Sequence, residues 1–302
     1  MIDVRRSLVV QRPWRVTILA LSILTVISAM PVFCVSSSSS PWDPPVNMTA
    51  LNGPGDEYAP AWSHHDALLV YTQVRAGRAG LMAVGMASGV AVGERTSDPP
   101  KYYTVPDMPM GAQVANATWS REGTMMYSAF RRTGKGSVIN IMERTFTNGV
   151  WSPARFLPEC LADAFTGHAT ISPSGQTMVF TSDREGGIGK LDLWSCKRSG
   201  AVWDAPVHMG ELLNSEENEI SPFLVSDDTL YFASDGFGGR GGFDVYSTTL
   251  LSGEWQPPVP VDEINTSYDE SDFVILPTGM AVFASDRPGG KGGTDLYFCR
   301  KK

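Results

Sequence analysis

From Trp42 to Lys302, apolar and polar positions alternate in short runs, and the breaks between them hold Gly, Pro, Asp and Ser. A period of two, with aromatic and β-branched residues at the apolar positions, predicts strands rather than helices. Three stretches show the pattern most clearly: "ISPSGQTMVFTSD", "FLVSDDTLYFASD" and "VILPTGMAVFASD", each a short turn followed by an apolar run ending at Phe180, Phe232 or Phe283. Two looser copies precede them, "AWSHHDALLVYTQ" and "TWSREGTMMYSAF", with Tyr71 and Tyr127 at the aromatic position.

The five copies recur every 51 to 56 residues. A fixed period of this size predicts stacked supersecondary units. Each of the last three copies runs on into an Asp/Gly stretch: "SDREGGIGKLDLW", "SDGFGGRGGFDVY" and "SDRPGGKGGTDLY". In all three, two aspartates stand nine residues apart: Asp183 and Asp192, Asp235 and Asp244, Asp286 and Asp295. A tryptophan strand closes the second, third and fourth units, at Trp151, Trp203 and Trp255. Each unit thus holds about four short strands, the content of one propeller blade. The fifth unit ends at "DLYFCRKK" without its tryptophan strand, and a matching one stands at the other end of the chain, "WDPPVNMTALN", Trp42 to Asn52.

The expected fold is all-β, a five-bladed β-propeller of four-stranded blades, closed by the N-terminal strand completing the last blade. Closure in that way leaves no unpaired sheet edge. The propeller is expected over 42–302, with blades near 56–110, 111–158, 159–215, 216–267, and 268–302 plus 42–52.

The Asp/Gly stretches have three chemical readings. Gly236, Gly238 and Gly241 satisfy G-x-G-x-x-G, but a phosphate loop needs a helix after it, and "FDVYSTT" reads as a strand. Calcium is the second: Asp183, Asp192, Asp235, Asp244, Asp286 and Asp295 supply oxygen ligands, although the EF-hand alternation of donors is absent. The third is a structured turn between the second and third strands, its first aspartate accepting glycine amides and its second opening the next strand. No other cofactor is expected.

The histidines have no metal spacing, no H-E-x-x-H or G-x-S-x-G occurs, and His64, His65, His168 and His208 read as surface or turn residues. Acids that do not repeat, such as Glu94, Asp107 and Glu122, are the remaining material for catalysis. The recurring tryptophans read as packing between blades. In a four-stranded blade, the turn between strands two and three lies on the same face as the connection to the next blade. The connections "NSEENE" and "SYDESD" therefore predict an acidic docking face of Glu216, Glu217, Glu219, Asp269, Glu270 and Asp272.

The first residues stand apart. Arg5, Arg6, Arg12 and Arg15 precede the uncharged stretch Val16 to Val35, the layout of an export signal over 1–36 or, if uncleaved, of a membrane anchor, with a Ser-rich linker at 37–41. Without residues 1–36 the net charge moves from −8 to about −11, which disfavours nucleic acid and anionic membrane surfaces as partners. Beyond that segment Cys160, Cys196 and Cys299 are odd in number and lack C-x-x-C spacing, so neither a disulfide framework nor a zinc site is expected.

On the three Asp/Gly stretches and their flanking strands, the chain resembles the WD40-like (PD40) β-propeller repeat family of bacterial envelope proteins, which includes TolB and the propeller modules of OmpA-like proteins. The resemblance covers about residues 42 to 302 and is strongest in the last three units. It implies an exported, non-catalytic, monomeric protein-binding or scaffold module of the periplasm or cell surface, with an envelope protein as partner. The alternatives are a propeller enzyme acting on polysaccharide, which predicts a central pocket with two unrepeated carboxylates, or a calcium-stabilised carbohydrate-binding module.

Overall fold

The computed structural model describes residues 42–85, 99–105, 113–134 and 136–302. The leader at 1–36, the linker at 37–41, Glu94 and Asp107 lie outside them. The described strands form five antiparallel sheets, four of them built from consecutive segments. From the axis outward, the first sheet is Asp56–Ser63, Leu68–Arg75, Arg78–Gly85 and Lys101–Tyr102. The second is Val114–Trp119, Thr124–Thr133, Gly136–Thr147 and Arg155–Phe156. The third and fourth begin with Thr166–Ile171, Thr177–Ser182, Asp192–Ser199 and with Glu219–Ser226, Thr229–Ser234, Asp244–Leu251. Their outer strands are short pairs, Val202–Trp203 with Val207–His208 and Glu254–Trp255 with Val259–Pro260.

The last sheet takes Glu270–Ile275, Met280–Ser285 and Asp295–Arg300 from the C-terminal end of the chain and its outer strand, Val46–Asn47, from the N-terminal end. Val46 lies opposite Phe298, Trp42 bridges to Lys301, and the Met48 amide donates to the Leu296 carbonyl at 2.9 Å. This is a five-bladed propeller closed by its N-terminal strand.

The core is a ring of five apolar clusters, one between each pair of neighbouring blades. Leu69 and Tyr71 of the first blade meet Met48, Val282 and Phe298 of the last. The other four interfaces are filled in the same way, by Tyr127 and Leu81, Phe180 and Met126, Phe232 and Val179, and Phe283 and Val245. Thr177–Ser182 and Met280–Ser285 are buried at every position. A blade is sandwiched between two others, so both faces of its middle strands are covered, and the polar side chains there must bond internally. Thr181 Oγ1, for example, donates to the Glu219 carbonyl of the next blade at 3.2 Å. The tryptophans serve this packing: Trp203 is buried between the second and third blades, and its Nε1 donates to Glu143 at 3.2 Å.

Candidate functional site

Two regions carry the chemistry singled out in the sequence: the Asp/Gly turns and the axis of the ring. In the turns, the second aspartate opens the third strand as expected, but it also takes the amide-accepting role expected of the first. The second aspartate, at the head of the third strand, accepts the turn amides. Asp192 takes Ile188 N–H at 3.1 Å and Gly189 N–H at 3.2 Å, Asp244 takes Gly241 N–H at 3.0 Å, and Asp295 takes Lys291 N–H at 2.5 Å. All three are buried. The first aspartate instead pins the start of its own blade's inner strand. Asp183 accepts from Phe165 N–H at 2.7 Å, Asp235 from Asn218 N–H at 2.8 Å and Asp286 from Asp269 N–H at 2.9 Å. Among the described residues no cluster of three or more His, Cys, Asp or Glu is placed to hold a metal ion.

The glycines permit close approach between blades. A Cβ at Gly189 would strike the Ser215 carbonyl, one at Gly241 the Tyr268 carbonyl, and one at Gly292 the Gly55 carbonyl. Each turn thus rests on the connection into the next blade, and the third such contact joins the last blade to the first.

Those connections are clamps, which changes the expected docking face. Asn52, Asn214 and Asn265 each grip one residue of the preceding blade's third strand through both its N–H and its carbonyl: Leu296, Leu193 and Val245. Five residues after each asparagine stands a fully buried glutamate, Glu57, Glu219 or Glu270. Glu219 accepts from Ser215 N–H, Ser215 Oγ and Ser234 Oγ at 2.6 to 2.9 Å. Glu270 accepts from Thr266 and Ser285 and pairs with Arg287 at 3.0 Å. Burial raises the Glu219 carboxyl above its ordinary value, against the pull of those three hydrogen bonds. Glu219 and Glu270 therefore leave the docking face, because folding encloses them. Glu216 and Asp269 are exposed and Glu217 half-exposed, but Glu217 is paired with Lys190, and Arg240 pairs with Asp262 beside them. The face carries both signs of charge.

Asp272 leaves that face as well, for the axis. In every blade the inner strand breaks register, between Tyr58 and Ala61, Ala115 and Thr118, Gly167 and Thr170, Ile220 and Phe223, and Ser271 and Val274. At each break one residue is left-handed: Ala59, Asn116, His168, Ser221 and Asp272, with φ between 49° and 54°. Asn, His and Asp are the non-glycine residues that tolerate this region best, and a bulge re-aims a side chain that a regular strand would turn elsewhere. Side-chain hydroxyls of the preceding blade hold two of the bulges, Thr72 to Asn116 N–H at 3.0 Å and Ser128 to His168 N–H at 3.4 Å.

The five bulges line a cavity of about 440 Å³ that runs along the inner strands to their ends, where His64, Arg121, Pro173 and Pro277 stand. Its walls mix polar and apolar surface in nearly equal parts, with the half-buried Trp62 and Phe223 among the apolar contributors. At the bulges, Ser221 Oγ donates to Asp272 Oδ1 at 2.7 Å, and Ser221 N–H donates to His168 Nδ1 at 3.3 Å. Burial lowers the His168 imidazole below its ordinary value, with Asp272 opposing, so it is neutral at pH 7. Tyr58 is pushed up to about 12 by burial and by the charges of Asp272 and Asp56. His168 is thus an axial residue and not a surface histidine. The other three do stand where turn or rim residues are expected, at the first hairpin (His64 and His65) and on an outer strand (His208).

Asp272 is the one carboxylate among the described residues lining the cavity. The bulge positions are unrepeated in residue type, but the lining lacks the second carboxylate that two-acid glycoside hydrolysis requires. Nothing in the sequence periodicity marked these residues as a set. They become visible only by aligning the inner strands and asking which position varies in polar character from blade to blade.

No protein-family model matches the chain. No curated protein is similar to it in sequence either. Among solved structures it is similar to the catalytic domain of the Coprinopsis cinerea GH62 α-L-arabinofuranosidase, with a TM-score of 0.57, 12% identity, and 87% and 98% of the two chains covered. The α-L-arabinofuranosidase of Lactobacillus brevis gives 0.52 at 11% identity, covering 85% and 94%. TolB of Acinetobacter baumannii gives 0.49 at 16% identity over 82% of this chain, which spans 55% of that TolB. The likeness is one of fold. At these identities it says nothing of chemistry, since the same propeller serves unrelated functions.

Proposed function

We propose that the chain is an exported, non-catalytic binding propeller of the bacterial cell envelope, and that its axial cavity is the surface that recognises a protein partner. The observation that carries this is the ring of left-handed bulges: one backbone position, repeated in every blade, presents five different side chains to one cavity. Residues kept for blade geometry repeat, as the Asn clamps and Asp/Gly turns do, whereas a surface adapted to one ligand has no reason to. A single carboxylate beside a neutral histidine, in one central pocket, supports binding rather than two-acid hydrolysis. The leader, arginines followed by an uncharged apolar stretch, supports export.

The test is affinity capture from envelope extract with the wild-type chain and with Ser221→Trp, which fills the cavity from a bulge position. A partner retained by the first and lost by the second bears out the reading. Equal capture by both moves recognition to another surface. Release of sugar from arabinan or xylan by the wild-type chain would replace the reading with a hydrolase.

A further inference from the structure

The charge of Asp272 has no counter-ion in the cavity. Its oxygens accept only hydroxyl hydrogen bonds, Oδ1 from Ser221 at 2.7 Å and Oδ2 from Ser271 at 2.9 Å. Among the described residues no Lys or Arg forms an ion pair with it. The adjacent His168 is neutral, and Arg121, the basic residue of the lining, stands beyond the end of its inner strand rather than at the bulges. A half-buried carboxylate attracts a cation more strongly than one in bulk water, because the surrounding dielectric is lower.

We infer that the cavity takes a lysine side chain of the partner protein, its ammonium on Asp272 and its alkyl stem along apolar side chains of the wall. The inference rests on the proposed protein-binding role and names the chemistry of recognition. One observation favours lysine over arginine. Each Asp272 oxygen already accepts one serine hydroxyl, so fewer acceptor positions remain for the two parallel bonds of a guanidinium fork, while an ammonium is a point charge with rotatable donors that needs only one. Trp62 and Phe223, both half-buried, offer apolar surface for the four-carbon stem on the way to the bulges.

The experiment titrates the full chain, following tryptophan fluorescence and heat, with n-butylammonium and with its neutral counterpart n-pentanol. It then uses the peptide acetyl-Gly-Gly-Lys-Gly-Gly-amide and the same peptide with norleucine for lysine. The expected result is that each cationic probe binds at least about ten-fold more tightly than its neutral partner. Asp272→Asn should abolish the difference. Asn tolerates the left-handed bulge, so the variant is expected to fold, and its melting curve checks this. Ser221→Ala, which keeps the charge and removes one hydroxyl, should retain the preference and give a second readout that does not depend on Asp272→Asn.

Equal binding of charged and neutral probes overturns the inference, as does an ammonium preference that survives in folded Asp272→Asn. A preference for butylammonium without one for the lysine peptide overturns the polypeptide source. If the lysine peptide binds through Asp272 but nothing is captured from envelope extract, the broader role falls and the lysine site stands. If Asp272→Asn captures the same partner as the wild-type chain, the lysine site falls and the broader role stands.

Discussion

The Asp/Gly turns and the axial bulges are both repeated backbone features, yet they differ in what repeats. In the turns the residues recur with the backbone: a glycine opposite a carbonyl of the next connection, a buried aspartate accepting amides, and an asparagine and a glutamate in the connection itself. At the bulges only the conformation recurs, and Ala, Asn, His, Ser and Asp occupy it in turn. The motif most conspicuous in the sequence holds blades together, and the inconspicuous position faces the cavity. Repetition of chemistry marks what every blade needs, and its absence at a fixed geometry marks what only the assembled ring uses.

Several changes would break or sharpen that contrast. The largest effect belongs to the closing segment. Deleting residues 42–52 removes the last blade's outer strand and the buried Met48 and Leu51, exposing a sheet edge. The expected outcome is loss of cooperative melting, with aggregation seen by light scattering. Next is Glu270→Ala, which strips four hydrogen bonds and leaves Arg287 enclosed without its partner. It should cost about 3 to 5 kcal/mol in denaturant unfolding. Asn265→Ala, which releases both backbone groups of Val245, should cost about 1 to 3 kcal/mol. If either variant proved neutral, the connections would not be clamps, and the contrast would lose its structural half.

A smaller, pH-dependent effect tests the other half. The folded imidazole of His168 titrates below its unfolded value of 6.5. Its contribution is therefore fully present above pH 6.5 and is lost as pH falls through the folded value, since protonation then favours the unfolded chain. Melting temperature should fall on acidification below pH 6.5, and less so in His168→Asn, which keeps a left-handed-tolerant residue. Glu219 has the opposite sign: its raised carboxyl stabilises most at low pH and loses that contribution as pH rises through its folded value, a slope that Glu219→Gln should flatten. The smallest effect is expected from Glu216→Gln, an exposed side chain whose loss should change stability by less than about 0.5 kcal/mol.

The strand pattern, the 51 to 56 residue period and the match of Trp42–Asn52 to the later tryptophan strands were legible in the chain, because blade geometry imposes the same local requirements in every copy. The Asp/Gly stretch was legible as a turn, but not the division of labour inside it. Which aspartate meets the glycine amides depends on how the turn folds over the neighbouring blade, and residue order does not encode that directly. Glu219 and Glu270 look like surface acids when read in "NSEENE" and "SYDESD", since nothing adjacent in sequence reveals that Ser234, Ser285 and Arg287 will enclose them.

The sequence by itself therefore determined the fold class, the number of blades and the manner of closure, all consequences of short-range patterning and its repetition. Only the tertiary structure decided which acids are buried, that His168, Ser221 and Asp272 share one cavity, and that Asp272 stands there with hydroxyls but no cation. These three residues lie one blade apart along the chain. Closing the ring brings their bulges to a common axis, and that convergence is a property of the assembled ring, which no stretch of the chain contains.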